Sequence, residues 1–102
     1  MNESHAPSYH LNDIKKAFNS ANKLNMTVSA KQEQIMLGFT DQDVVDAIQN
    51  LQWNDFYKSM APKNKGFFAW QDVYKSHFKG VDLYIKFQVG TRGELILSFK
   101  EK

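Results

Sequence analysis

Cysteine is absent from the 102 residues, which excludes a disulfide framework and any zinc site built on thiolates, and fits a reducing compartment. No apolar run approaches the ~18 residues that a membrane-spanning helix requires. The ten residues ahead of Leu11, Met-Asn-Glu-Ser-His-Ala-Pro-Ser-Tyr-His, lack the apolar core of a secretory signal. Histidine is scarce: His5 and His10 lie in this leading segment and His77 at a strand end. Each reads as a solvated residue outside the polar cluster of the C-terminal strands. These absences predict a soluble, cytoplasmic protein without disulfides or a thiolate zinc site, and leave histidine out of the candidate cluster.

What is present suits one domain. A chain of this length holds a single core, so residues 1–102 are expected to form one unit. Its 42% hydrophobic and 14% aromatic content argues against disorder. The net charge of +2 is unevenly spread. Residues 1–50 carry 4 Lys+Arg against 6 Asp+Glu, net −2, and residues 51–102 carry 9 against 5, net +4. A basic second half is the usual electrostatic footprint of nucleic-acid binding, although an imbalance of this size is more often plain solvated surface.

The first half reads as helical. Leu11, Ile14, Ala17, Phe18, Ala21 and Leu24 recur at helical spacing, with Asn12 and Asp13 at the start, and predict an amphipathic helix across 11–24 whose stripe is core. After an extended piece at 26–28, Ser29 and Gln32 form a capping box for a second helix, and Gly38 supplies its stop. Thr40 opens a third, with Asp41 and Asp43 facing the positive end of its dipole and Phe39 placed to staple onto Val44. Val44, Val45, Ile48 and Leu51 give its buried side. Asp41, Asp43 and Asp46 therefore read as helix-start carboxylates rather than a metal site.

From Trp53 the period changes to two. Val81, Leu83, Ile85, Phe87 and Val89 make an apolar face and leave Asp82, Tyr84, Lys86 and Gln88 on the other. Gly90-Thr91-Arg92-Gly93 reads as a hairpin turn, after which Leu95, Leu97 and Phe99 resume the apolar face opposite Ser98 and Lys100. A slip of one residue would bury the lysines, so Tyr84, Lys86 and Lys100 must share the solvent side. Two further strands, at 56–60 and 70–74, carry Lys58 and Gln71, whose facing is open from pattern alone. Trp70 reads as core. The expected architecture is α+β, with N-terminal helices packed on a C-terminal antiparallel sheet.

Cations with a phenol and an amide on one face suit a phosphodiester. By pattern alone, the favoured reading is that Tyr84 is a cross-strand aromatic and the lysines are edge charges that discourage aggregation. The segments Asp55-Phe56-Tyr57-Lys58-Ser59-Met60, Trp70-Gln71-Asp72-Val73-Tyr74, Tyr84-Ile85-Lys86 and Ser98-Phe99-Lys100-Glu101-Lys102 tip the balance. In that order, and with the Lys15-Lys16 helix ahead of them, they closely resemble the motility quorum-sensing regulator (MqsR) toxin family over most of the chain.

The resemblance implies a RelE-like fold and a type II toxin acting as an mRNA interferase. Such an enzyme cuts single-stranded message at short GC-containing sites, with no metal or other cofactor. It also implies a cognate antitoxin that joins a zinc-bearing domain to a dimerising helix-turn-helix domain, with no membrane partner and no DNA binding by the toxin alone. The family's active-site positions fall on Lys58, Gln71, Tyr84 and Lys100, all four residue types being retained. Residues 62–67 and 90–93 depart from the family pattern.

Lys86, Lys63 and Lys65 are expected to contact RNA. A lysine of ordinary pKa, about 10.4, serves as a base only if that value is lowered to about 7, at a cost of about 4 kcal/mol. Lys58 and Lys100 are therefore expected to clamp the phosphorane, one of them protonating the leaving oxygen. Tyr84 is cast as general base or phosphate-orienting group, and Gln71 as a hydrogen-bonding partner of RNA. The alternative is a non-catalytic RNA-binding or protein-interaction module.

Overall fold

The period-two alternation after Trp53 becomes an antiparallel sheet with one face on the helices and one open. The computed structural model describes residues 3–62 and 69–102, so Lys63 and Lys65 lie outside the described residues. The helices are α1 (Leu11–Ala17), α2 (Val28–Leu37) and α3 (Asp41–Gln49). The strands are β1 (Glu3–Ser4), β2 (Phe56–Met60), β3 (Gln71–Phe78), β4 (Val81–Val89) and β5 (Leu95–Glu101). They pair in the order β1-β2-β3-β4-β5, every neighbour antiparallel. The expected α+β architecture is borne out.

The core lies between helices and sheet. Ile14, Phe18, Val44, Ala47, Ile48 and Leu51 pack on Tyr74, Leu83, Ile85, Phe87, Leu97 and Phe99. Ring contacts tie the layers together: Phe18 to Phe87 at 5.8 Å, and Tyr74 edge-on to both Phe87 and Phe56 at 5.8 and 5.5 Å. Burial raises the Tyr74 phenol to about 12, so it stays neutral in this layer. Trp70, expected in the core, is only half-buried just ahead of β3. Its carbonyl accepts the Tyr9 hydroxyl at 2.6 Å.

Local signals fare unevenly among the helices. α1 ends at Ala17, well short of Leu24, and Ala21–Lys23 form a separate 3-10 turn. Leu11, Ile14, Ala17, Phe18 and Leu24 still pack on the core, but Ala21, expected in the same stripe, is exposed; the last carbonyls of the helix find a partner elsewhere. The Gln49 amide on α3 donates to the carbonyls of Lys15 (2.8 Å) and Phe18 (3.2 Å), so the helix needs no further turn. At α2 the cap is Thr27 rather than Ser29: its hydroxyl accepts the Ala30 N–H at 3.1 Å. Residues 25–27 are already pinned to β5 by hydrogen bonds to Leu97, which places the extended-to-helical change at Thr27. Gly38 closes α2 at φ 72° as expected.

α3 begins as read. The Asp43 N–H donates to Thr40 Oγ1 (3.0 Å) and the Thr40 N–H to Asp43 Oδ2 (2.8 Å), a complete capping box. Asp43 also pairs with Lys79 at 2.6 Å and Asp41 with Lys31 at 2.9 Å, so both carboxylates have structural partners. Thr40→Ala is expected to lower stability by about 1 kcal/mol. A urea-denaturation midpoint equal to that of the parent chain would contradict this account of the cap.

Candidate active site

The face turned away from the helices is ordered by strand register. Tyr84 stands opposite Lys100 on one side and Lys75 on the other. One row along, Lys58, Val73, Lys86 and Ser98 succeed one another across β2 to β5, and in the next Met60, Gln71, Gln88 and Ile96. Directly opposed side chains in such a ladder lie about 5 Å apart at Cβ. Tyr84, Lys86 and Lys100 share this side, as the hairpin pattern requires. Lys58 and Gln71, undetermined by pattern, face the same way.

An open cleft of about 240 Å³ runs between these rows, lined by Tyr57, Lys58, Met60, Val73, Tyr84, Lys86 and Lys100. Three of the four expected site residues form its wall. Gln71 stands one row off, between Met60 and Gln88. Three cleft residues, Tyr57, Met60 and Val73, carry no signal in the sequence. Val73, 3% exposed, is an ordinary strand valine that is covered here. Tyr57 arrives through an irregularity: the β2–β3 register shifts between Phe56 and Lys58. Phe56 points into the core and Lys58 outward, and the extra residue between them lays its ring on Tyr84, with centroids 6.0 Å apart and planes at 23°. Strict alternation would have sent Tyr57 to the face opposite Lys58; a β-bulge breaks that alternation.

The electrostatics of the cleft are dominated by cations. Lys58 Nζ lies 5.1 Å and Lys75 Nζ 4.1 Å from the Tyr57 ring centre, and Lys102 Nζ 5.5 Å from that of Tyr84. Lys58 donates to the Glu3 carboxylate on β1 at 2.5 Å. That bond, with the attraction of the carboxylate, holds the lysine above its ordinary pKa, which favours its ammonium form. The same face carries His77, which the sequence pattern sets apart from the polar cluster. It pairs with Asp82 at 2.7 Å, both largely exposed, beyond the cleft wall. This bond holds the Asp82 carboxyl below the usual range.

Glu3 reaches Lys58 because the leading segment is strapped down. β1 pairs Glu3 with Met60 and Ser4 with Ser59. The Ser8 N–H donates to both oxygens of Asp72 and the Tyr9 N–H to one, all at 3.0 Å. The Val89 N–H donates to the Tyr9 hydroxyl at 3.2 Å. Successive β3 residues thus face opposite ways: Gln71 and Val73 lie on the open face, while Asp72, fully buried, ties the leader to the other side.

Comparison with known proteins places the chain in a family. The family described as "Motility quorum-sensing regulator, toxin of MqsA" matches residues 6–101. A protein of Escherichia coli (strain K12), the mRNA interferase toxin MqsR, is 35% identical over 100 residues, covering 98% of this chain and 99% of the relative. The chain belongs to the motility quorum-sensing regulator toxin family. The match to the MqsR toxin family takes in both the helical layer and strands β2 to β5, and with them Lys58, Gln71, Tyr84 and Lys100. Glu3 and Lys102, which partner the cleft from either end of the chain, lie outside residues 6–101 that the family model matches.

Proposed function

We propose that this chain is the toxin of a type II toxin–antitoxin pair, a cytoplasmic mRNA interferase that cuts single-stranded message at short GC-containing sites within its own cleft. The observation that carries the reading is the side-by-side placement of Tyr84 and Lys100 across the β4–β5 hairpin, facing Lys58 and Lys86 over one open cleft. The family and its mRNA interferase relative support it.

The proposed reaction is an internal transesterification. The 2′-oxygen attacks phosphorus, the bond to the 5′-oxygen breaks, and a 2′,3′-cyclic phosphate and a 5′-hydroxyl result. One proton leaves the 2′-hydroxyl and one is delivered to the departing oxygen. Lys58, fixed as a cation by Glu3, stabilises the charge that grows on the phosphorane. Lys100 shares that role and is placed beside Tyr84 to protonate the leaving oxygen, while Tyr84 orients the phosphate or accepts the first proton. Gln71, one row away, hydrogen-bonds the RNA strand, and Lys86 attracts its backbone. Asp72 and Val73 contribute no chemistry; they hold β3 in register. The proposed partner is a cognate antitoxin with a zinc-bearing domain and a helix-turn-helix domain, as the resemblance implies.

Incubation of the purified chain with a short message, in the presence of excess chelator, is expected to yield fragments ending in 2′,3′-cyclic phosphate. A substrate carrying 2′-deoxyribose at the cleaved position is expected to bind and remain intact. RNA that is bound but never cut would instead identify a binding module, and the absence of salt-dependent RNA affinity would point to a protein-interaction module.

A further inference from the structure

Tyr57 takes no part in the proposed chemistry, yet the fold places it in the wall of the cleft. It is a large aromatic residue left 42% exposed. The core position beside it is already filled by Phe56, whose ring packs edge-on against Tyr74. A bulge in β2 disrupts local pairing, and its visible result here is to put Tyr57 and Lys58 on the cleft side together. The Tyr57 ring lies nearly parallel to that of Tyr84, which is the cross-strand neighbour of Lys100. Two ammonium groups, of Lys58 and Lys75, border the same ring. An exposed aromatic plane flanked by cations is the arrangement by which proteins hold single-stranded nucleic acid: bases stack on the ring and phosphates meet the cations.

We propose that Tyr57 is a nucleobase platform, on which the unpaired base beside the scissile phosphate stacks, and that Lys75 grips the phosphate flanking that base. The inference rests on the reading of this face as the RNA-cleaving site and names what the site grips besides the reacting phosphate. Lys75 now covers the ring at 4.1 Å; its long, exposed side chain swings aside as the base arrives and is released to the backbone. The stack of base, Tyr57 and Tyr84 orders the nucleotide next to Tyr84 and Lys100, so the platform acts in binding and positioning rather than in proton transfer. It also supplies a physical source of preference for single strands, since a base paired in a duplex has no free face to offer.

The test is a kinetic comparison of the full chain with Tyr57→Ala and Tyr57→Trp, on a short RNA and on copies of it that are abasic at one position at a time around the cleaved bond. Tyr57→Ala is expected to raise KM about tenfold, in keeping with the loss of one stacked base, with kcat changed far less, and Tyr57→Trp to restore KM. One abasic position is expected to raise KM of the parent chain by a similar factor and to add nothing in Tyr57→Ala. An unchanged KM in Tyr57→Ala, or a penalty independent of every abasic position, overturns the platform. Lys100→Ala, assayed alongside, separates the two readings. If it is inactive while Tyr57→Ala is normal, only the platform fails. If both behave as the parent chain does, the site itself is wrongly placed. Melting temperatures within a few degrees of the parent value keep folding out of the comparison.

Discussion

Replacing Lys100 with alanine is expected to slow RNA cleavage by about a hundredfold or more, and Tyr84→Phe to do the same, with folding intact in both. Each group stands where charge or a proton moves, and removing one such group from a phosphoryl or acyl transfer site costs two to three orders of magnitude or thereabouts, roughly 3 to 4 kcal/mol of transition-state stabilisation. Neither change should disturb the core, because both side chains project from the open face and their strand neighbours Ile85 and Phe99 supply the buried contacts. Single-turnover rates on one short RNA measure the effect. Near-normal rates in both variants would remove these residues from the chemistry. The effects are not expected to add in the double variant, since neighbouring groups that serve one transition state act as a unit.

The second large effect is on stability. Asp72 is fully buried, and its carboxylate accepts the backbone N–H groups of Ser8 and Tyr9. Its cross-strand neighbour Ser59, also fully buried, shares a 3.0 Å hydrogen bond with the Ser8 hydroxyl. Asp72→Ala leaves those backbone donors without their acceptor and is expected to cost about 3 kcal/mol. For a domain of this size that corresponds to a fall in melting temperature of roughly 15 °C. Urea denaturation gives the free energy directly, and a loss below about 1 kcal/mol would show that the leader contributes little. Release of the leader also frees β1, and with it the Glu3 carboxylate that holds Lys58, so a stability residue on one side of β3 is tied to a site residue on its neighbour strand.

Much of the sheet was legible because its pattern is regular. The β4–β5 hairpin could be placed with its facing and its turn: apolar residues hold every second position on the inner face of both strands, and Gly93 takes the positive φ that the turn demands. Tyr84 beside Lys100 follows from that alternation. The cap of α3 was equally plain, since Thr40 and Asp43 satisfy each other within four residues. The early end of α1 was not, because the amide that receives its last carbonyls belongs to Gln49, more than thirty residues on. Nor was β1 foreseen: two residues carry no period, and the strand exists only because β2 offers it an edge and Asp72 anchors the backbone at Ser8 and Tyr9.

Sequence alone determined the family, the α+β order of elements and the residue types of the site, since each is written in local alternation or in motifs that stand whole in the chain. Tertiary structure alone decided how those residues meet. Lys58 reaches the cleft because of a bulge, Gln71 stands one row from it because of the β2–β3 register, and Glu3 lies on Lys58 because a buried aspartate holds the leader. Tyr57 joins the site for the same kind of reason. Register shifts and long-range anchors are set by which buried groups find partners across the fold, and a linear pattern of period two has no term for either.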